Sequence, residues 1–160
     1  MSPKILLQSN EDVTVKNTVS LVTLFQGPIP ANVIDGDHGI RITMFGQYIN
    51  STAGDHNANL YIGIGSNLTV VTFPIVIPLV GSGAIYEAIW SIFAKGSLSA
   101  QEGFGRFLSS EIGTAAKVQL AMGAATEDAT EDLDLTIRVG LDFASNAFQW
   151  IKSKVVVELL

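Results

Sequence analysis

The chain has no cysteine, which removes disulfide staples, thiolate zinc sites and cysteine nucleophiles together. Stability therefore has to come from packing and from contacts between subunits. Charge is also scarce, at 15% of residues against about 25% in an average soluble domain. Basic residues are the scarcer kind: nine Lys and Arg face fifteen Asp and Glu, giving a net charge of -6 and a pI near 4.7. A protein that neutralises phosphates needs clustered Lys and Arg, so nucleic-acid binding is not expected. What fills the chain instead is apolar: 48% hydrophobic residues and a mean hydropathy of +0.38 exclude a disordered segment. At 160 residues the length suits one domain spanning 1–160, with a core of its own.

No secretory leader is expected, because Met1-Ser2-Pro3-Lys4 opens only a short apolar run before Gln8-Ser9-Asn10-Glu11-Asp12. From Asn57 to Tyr86 no residue is charged, and Val70 to Val80 is strongly apolar. A spanning helix needs about 20 continuous apolar residues. Pro74, Pro78, Gly81 and Gly83 interrupt this stretch, so it reads as buried strand and turn, not as a membrane span.

Helical periodicity is missing, and a period of two takes its place. From Leu133 to Phe143 every odd residue is apolar and every even one is polar or glycine, the pattern of a strand with one buried face. Similar alternation marks Val13–Val15, Ile40–Met44, Leu60–Ile64 and Val118–Met122. Trp150 to Leu160 reads as a last strand, with Ile151, Val155, Val157 and Leu159 on one face and Lys152, Lys154 and Glu158 on the other. Ala84 to Ala94 is apolar on both parities and is either a doubly covered strand or a short helix; its aromatic and β-branched content favours strand. Turn chemistry separates these segments at Gly27-Pro28-Ile29-Pro30, Asp35-Gly36-Asp37, 51–57, Gly65-Ser66-Asn67 and Gly81-Ser82-Gly83. Eight to ten short strands without a long helix imply an all-β antiparallel sandwich or jelly roll.

Catalytic chemistry finds little to stand on. The only two histidines, His38 and His56, each end a Gly-Asp-His tripeptide of ordinary turn composition, which falls short of a zinc ligand set. The acidic stretch from Glu127 to Asp134 lacks the Asp-x-Asp-x-Asp-Gly spacing of a calcium loop. Gly81-Ser82-Gly83 is not a nucleophile elbow, and neither Gly63-Ile64-Gly65 nor Gly103-Phe104-Gly105 extends to a dinucleotide or phosphate loop. The sequons at Asn50 and Asn67 matter only in a secreted eukaryotic chain. Trp90, Trp150, Tyr48, Tyr61 and Tyr86 suit either sugar stacking or anchoring of a core or interface. No catalytic, cofactor or metal residue is assigned, and the excess apolar surface points to a homo-oligomer.

The succession of pieces carries one resemblance. Ile29-Pro30-Ala31-Asn32, Gly36-Asp37, Ile40-Arg41-Ile42 and Gly46-Gln47-Tyr48 are followed by the Leu60–Gly65 strand, an aromatic strand around Trp90, and the Leu133 strand. Ala144-Ser145-Asn146-Ala147-Phe148 and the terminal Val155–Leu160 then close the series. In this order they resemble the small jelly-roll virion proteins of tailed bacteriophages, either capsid decoration (cement) proteins or fibre domains. The resemblance implies a non-enzymatic structural role on the virion, at the capsid exterior or in a tail fibre. It also implies self-association, commonly as trimers, and contact with the major capsid protein or other virion proteins. A fibre or receptor-binding module recognising host-surface glycans is the alternative. Two stretches depart from the family's pattern: apolar Val70 to Val80, and Phe104 to Ile112, which fits no strand pattern.

Overall fold

The computed structural model describes residues 4–110 and 117–160. Eleven strands appear among them: β1 (Lys4–Ser9), β2 (Val13–Lys16), β3 (Val22–Ile29), β4 (Gly39–Asn50), β5 (His56–Ile64), β6 (Asn67–Ile77), β7 (Val80–Ser97), β8 (Ala100–Ser110), β9 (Lys117–Ala125), β10 (Leu133–Leu141) and β11 (Phe148–Leu159). No helix among the described residues is long and apolar enough to cross a membrane. The strands form two antiparallel sheets packed as a sandwich. The larger runs β1-β11-β4-β7-β8-β9, with β2 also on β11, and the smaller runs β3-β10-β5-β6.

Pairing is nested: β1 with β11, β3 with β10, β4 with β7, β5 with β6. The chain is thus one long hairpin, tipped by the β5–β6 turn and rolled so that successive pairs fall in alternate sheets. This is jelly-roll topology. The β8–β9 hairpin is an insertion between β7 and β10 that widens the large sheet. Its tip and Ile112, the end of the unplaced Phe104 to Ile112 stretch, lie outside the described residues.

The alternation from Leu133 to Leu141 is realised, with Leu135, Ile137 and Val139 fully buried against the other sheet. Six aromatic rings fill the space between the layers. Tyr86 lies 4.5 Å from Trp150 and 5.6 Å from Phe107, Tyr48 lies 5.8 Å from Trp150, and Phe73 lies about 6 Å from both Trp90 and Phe107. The segment of both parities, Ala84 to Ala94, is the middle of strand β7. One parity feeds this aromatic layer and the other faces outward.

Three sequence expectations are corrected. Gly27-Pro28-Ile29 is the end of β3 and not a turn; an edge strand tolerates Pro28 because its missing N–H is not needed by a neighbour. Gly81-Ser82-Gly83 belongs to β7, with the break falling earlier, at Pro78-Leu79. Lys152, expected on the wet face, is 1% exposed. A bulge between Lys152 and Lys154 flips the parity of β11, so that Trp150 and Lys152 point inward before it and Val155 and Val157 after it.

That bulge is where β1 hands over to β2 on the β11 edge. The Lys152 ammonium donates to Ser9 Oγ at 3.2 Å and to the Glu11 carbonyl, tying the connector down. Burial holds the amine below the ordinary lysine value, opposed by the charges of Glu11 and Asp12. Opposite the bulge, Gly46 leaves room for Tyr86, whose hydroxyl donates to the Ile151 carbonyl at 3.0 Å. Burial pushes that hydroxyl well above the ordinary tyrosine value, so it remains a donor.

Two outcomes follow. A Cβ at Gly46 would stand 2.0 Å from the Ile151 carbonyl and 2.6 Å from the Tyr86 hydroxyl, whereas one at Gly54 meets nothing within 4 Å. Gly46→Ala should lower stability by about 3 kcal/mol in denaturant titration, the upper range of overpacking, with Gly54→Ala near wild type. The folded pKa of Lys152 lies below its unfolded value of 10.5, so folding gains from this group as pH rises through that window. The melting temperature of wild type relative to Lys152→Met should therefore climb as pH approaches 10.5; a flat difference would show that the amine does not titrate differently on folding.

Candidate functional site

The histidines do not meet. His38 precedes β4 and His56 begins β5, at opposite ends of the sandwich. In neither case is the neighbouring Asp of the tripeptide the partner. His38 Nδ1 lies 3.0 Å from Asp35, whose carboxylate also accepts the backbone N–H groups of Asp37 and His38 at 2.8 Å. The N–H of Asp37, opposed by some desolvation, helps hold the Asp35 carboxyl below the usual range. His56 stacks on Phe143 at 4.3 Å, with Asp142 at 3.5 Å.

The acidic loop is spent on turns. Glu127 Oε1 accepts the Ser66 hydroxyl at 2.8 Å and the Asn67 N–H at 2.6 Å, capping the β5–β6 turn. The Gln101 side chain, buried beside it, bonds the Leu98 carbonyl and both backbone groups of Glu127. Asp128 accepts from Thr130, which holds its carboxyl below the usual range, and Asp132 accepts from Ala31 N–H at 2.8 Å. Glu127, Asp128 and Asp132 thus each serve different donors. No group of three or more His, Asp or Glu among the described residues is placed to hold a metal. The sequon Asn50 is buried as well, and its amide donates to the Gly54 and Ile77 carbonyls.

Of the five aromatics named from the sequence, Trp90, Trp150, Tyr48 and Tyr86 belong to the core. Tyr61 alone reaches a surface, half-buried on the outer face of the small sheet with the Arg138 guanidinium 5.9 Å above its ring.

The feature that sequence reasoning did not locate is the outer face of the large sheet. In β8 and β9 the inward positions include Phe107 but are otherwise small or polar, among them Gly103, Gly105, Ala121 and Gly123, while Phe104, Leu108, Val118, Leu120 and Met122 point outward. The cause is steric. A Cβ on Gly123 would fall 1.6 Å from the Val70 carbonyl, and one on Gly105 would fall 2.6 Å from the Phe73 ring. Strand β6 closes the sandwich against β9, with Gln119 Nε2 donating to the Pro74 carbonyl at 2.7 Å, and leaves no space for a side chain at Gly105 or Gly123. The apolar set of β9 is turned to solvent: Val118 is 59% exposed, Leu120 79% and Met122 69%.

Register places these residues on one surface with Phe45 and Ile85. Thr43, Ile89, Arg106 and Leu120 form one row, and Phe45, Glu87, Leu108 and Val118 the next. A hollow of about 620 Å³ opens between Phe45, Ile85 and Leu108, floored by Gly46 and Tyr86. A second of about 540 Å³ lies between Thr43, Ile89, Phe104 and Leu120. On β4, β7, β8, β9 and β11 the described residues of this face include four basic side chains (Arg41, Lys95, Arg106, Lys154) and three acidic ones (Glu87, Glu102, Glu158). Glu87 and Arg106 approach to 3.8 Å, and Glu102 and Lys95 to 3.1 Å. The outer face of the small sheet is more polar, with Gln26, Asn59, Tyr61, Thr72 and Arg138.

No protein-family model and no curated protein sequence matches the chain. Among solved structures it is similar to lectin II from Ulex europaeus. The likeness covers 98% of this chain and 99% of the lectin, at 8% identity and a TM-score of 0.42, a distance at which nothing transfers from one protein to the other.

Because the acidic loop is occupied by its own donors, millimolar calcium should leave the melting temperature unchanged. Glu127→Ala should lower stability by about 2 kcal/mol, as two hydrogen bonds to a carboxylate are lost. A calcium-dependent rise in melting temperature that Glu127→Ala abolishes would overturn this assignment.

Proposed function

We propose that this chain is a non-enzymatic structural protein of a virion, a decoration protein of the tailed-bacteriophage kind, which self-associates and reinforces the capsid exterior. The observation that carries the reading is the broad apolar face on the large sheet. It belongs to an otherwise acidic jelly roll in which both histidines and the carboxylates of Asp35, Glu127, Asp128, Asp132 and Asp142 have partners in the loops. Exposed apolar patches of this extent mark interaction surfaces. Covering one releases roughly 25 cal/mol for each Å² of apolar area removed from water. Such a protein works by burial: it needs no turnover, only a surface that adheres and a fold that does not yield.

The succession of segments that resembles small phage jelly rolls supplies the virion context and favours three copies in the assembly. The excess of carboxylates elsewhere on the chain suits an exterior location, away from the packaged nucleic acid. The glycan-binding alternative rested on five aromatics, and four of these are consumed by the core.

Immunogold labelling of particles purified from the source of the gene tests the reading. Label on heads is the expected result. Particles free of label, combined with glycan binding that Tyr61→Ala abolishes, would replace this reading with the fibre-type one.

A further inference from the structure

We infer that the outer face of the large sheet is covered by a second copy of this chain. The β9 ridge of Val118, Leu120 and Met122 enters the hollow between Phe45, Ile85 and Leu108 of the neighbouring molecule. The inference rests on the self-associating reading above and gives it a surface. Three observations select a copy of the same chain as the occupant.

The first is that both halves of a contact are present on one molecule. The ridge is the most exposed apolar feature of the sheet, and the hollow is walled by Phe45, Ile85 and Leu108, with Gln47, Ser109, Ser110, Ser153 and the Arg106-paired carboxylate of Glu87 also lining it. Ridge and hollow adjoin, since Leu108 in the wall of the hollow is the register partner of Val118 in the ridge. One face-to-face contact with a second copy therefore covers both, with each ridge seated in the other's hollow.

The second is charge. The whole chain carries -6, yet the described residues of this face on β4, β7, β8, β9 and β11 include four basic side chains against three acidic ones. Two acidic molecules meet through it without net repulsion, whereas contact through the carboxylate-rich loops would set like charges against each other. The central charges are already paired within the face, as Arg106 with Glu87, so covering them leaves no lone ion.

The third is area. Five strands at a spacing of about 4.8 Å, over about nine residues of about 3.3 Å rise, give roughly 700 Å². That is close to the roughly 800 Å² each partner contributes to a standard stable interface.

The test is native mass by light scattering over a dilution series, with Leu120→Glu in the ridge, Ile85→Glu in the hollow and Val19→Glu as a control. All three side chains are at least 60% exposed, so the fold tolerates the charge, which circular dichroism and melting temperature check. Wild type and Val19→Glu should form the same oligomer, and each face variant should weaken association by about 30-fold or more, the loss typical of a central interface residue. An equal mixture of the two face variants should recover a two-copy species, because one retains the hollow and the other the ridge. An oligomer indifferent to both face variants overturns the inference. So does a wild type that is monomeric at every concentration. If that monomer still labels particles, and Leu120→Glu abolishes the labelling, a different virion protein covers the face and the virion reading survives alone. An oligomer built through this face that labels no particle leaves the inference standing and removes the virion reading.

Discussion

Two rings that occupy glycine gaps set the spacing of this sandwich. Phe73 of the small sheet presses onto Gly105 of the large one, and Tyr86 lies over Gly46 on the adjacent strand to reach the Ile151 carbonyl. Neither glycine has room for a Cβ, so the distance between layers and the path of β11 are fixed by aromatic bulk meeting bare backbone. Interiors pack near crystal density, and such a fit stays tight because the surrounding strands have no slack to move into. The β11 bulge belongs to the same arrangement. It frees the Ile151 carbonyl that Tyr86 takes, and it turns Lys152 inward to hold the connector between β1 and β2.

The surface follows from this interior. With β6 pressed against β8 and β9, the inward positions at Gly103, Gly105 and Gly123 have to be small, and apart from Phe107 the large apolar residues of those strands are left on the outside. An inserted hairpin with bulky inward residues would pry the layers apart at that edge. The apolar outer face is thus the other side of tight closure, and the proposed interface is continuous with the core across one thickness of sheet. A mutation that enlarges an inward position of β8 or β9 is expected to disturb both.

The fold was legible where large side chains point inward. Leu133 to Leu141 alternates cleanly, because that strand faces the middle of the aromatic layer, and its period names both the strand and its buried side. Strand β8 escaped notice, since glycines on its inner parity give no hydrophobic signal. In β9 the alternation was visible but its direction was not: a period of two says that the faces differ, not which one is wet. The parity flip in β11 has no local mark, since a bulge depends on the partner strand. Turn residues misled at Gly27-Pro28 and Gly81-Ser82-Gly83, where an edge position and the start of a long strand accommodate them. The candidate face was illegible for the same reason as β9, because it depends on β6 lying behind β8 and β9, a contact between segments far apart in the chain.

The acidity of the chain has a local origin. A fold of eleven strands needs many connections, and each leaves backbone N–H groups that no ladder satisfies. Here carboxylates take them up: Asp35 for Asp37 and His38, Glu127 for Asn67, Asp128 for Thr130, Asp132 for Ala31. Asp142 does related work by accepting from the Asn57 side chain. Lysine and arginine cannot replace them, since neither accepts a hydrogen bond. The low pI is therefore in large part a product of capping turns in an all-β chain. The distribution is the informative quantity. Carboxylates gather in the loops, and the sheet face that lacks their excess is left able to meet another molecule of the same sign.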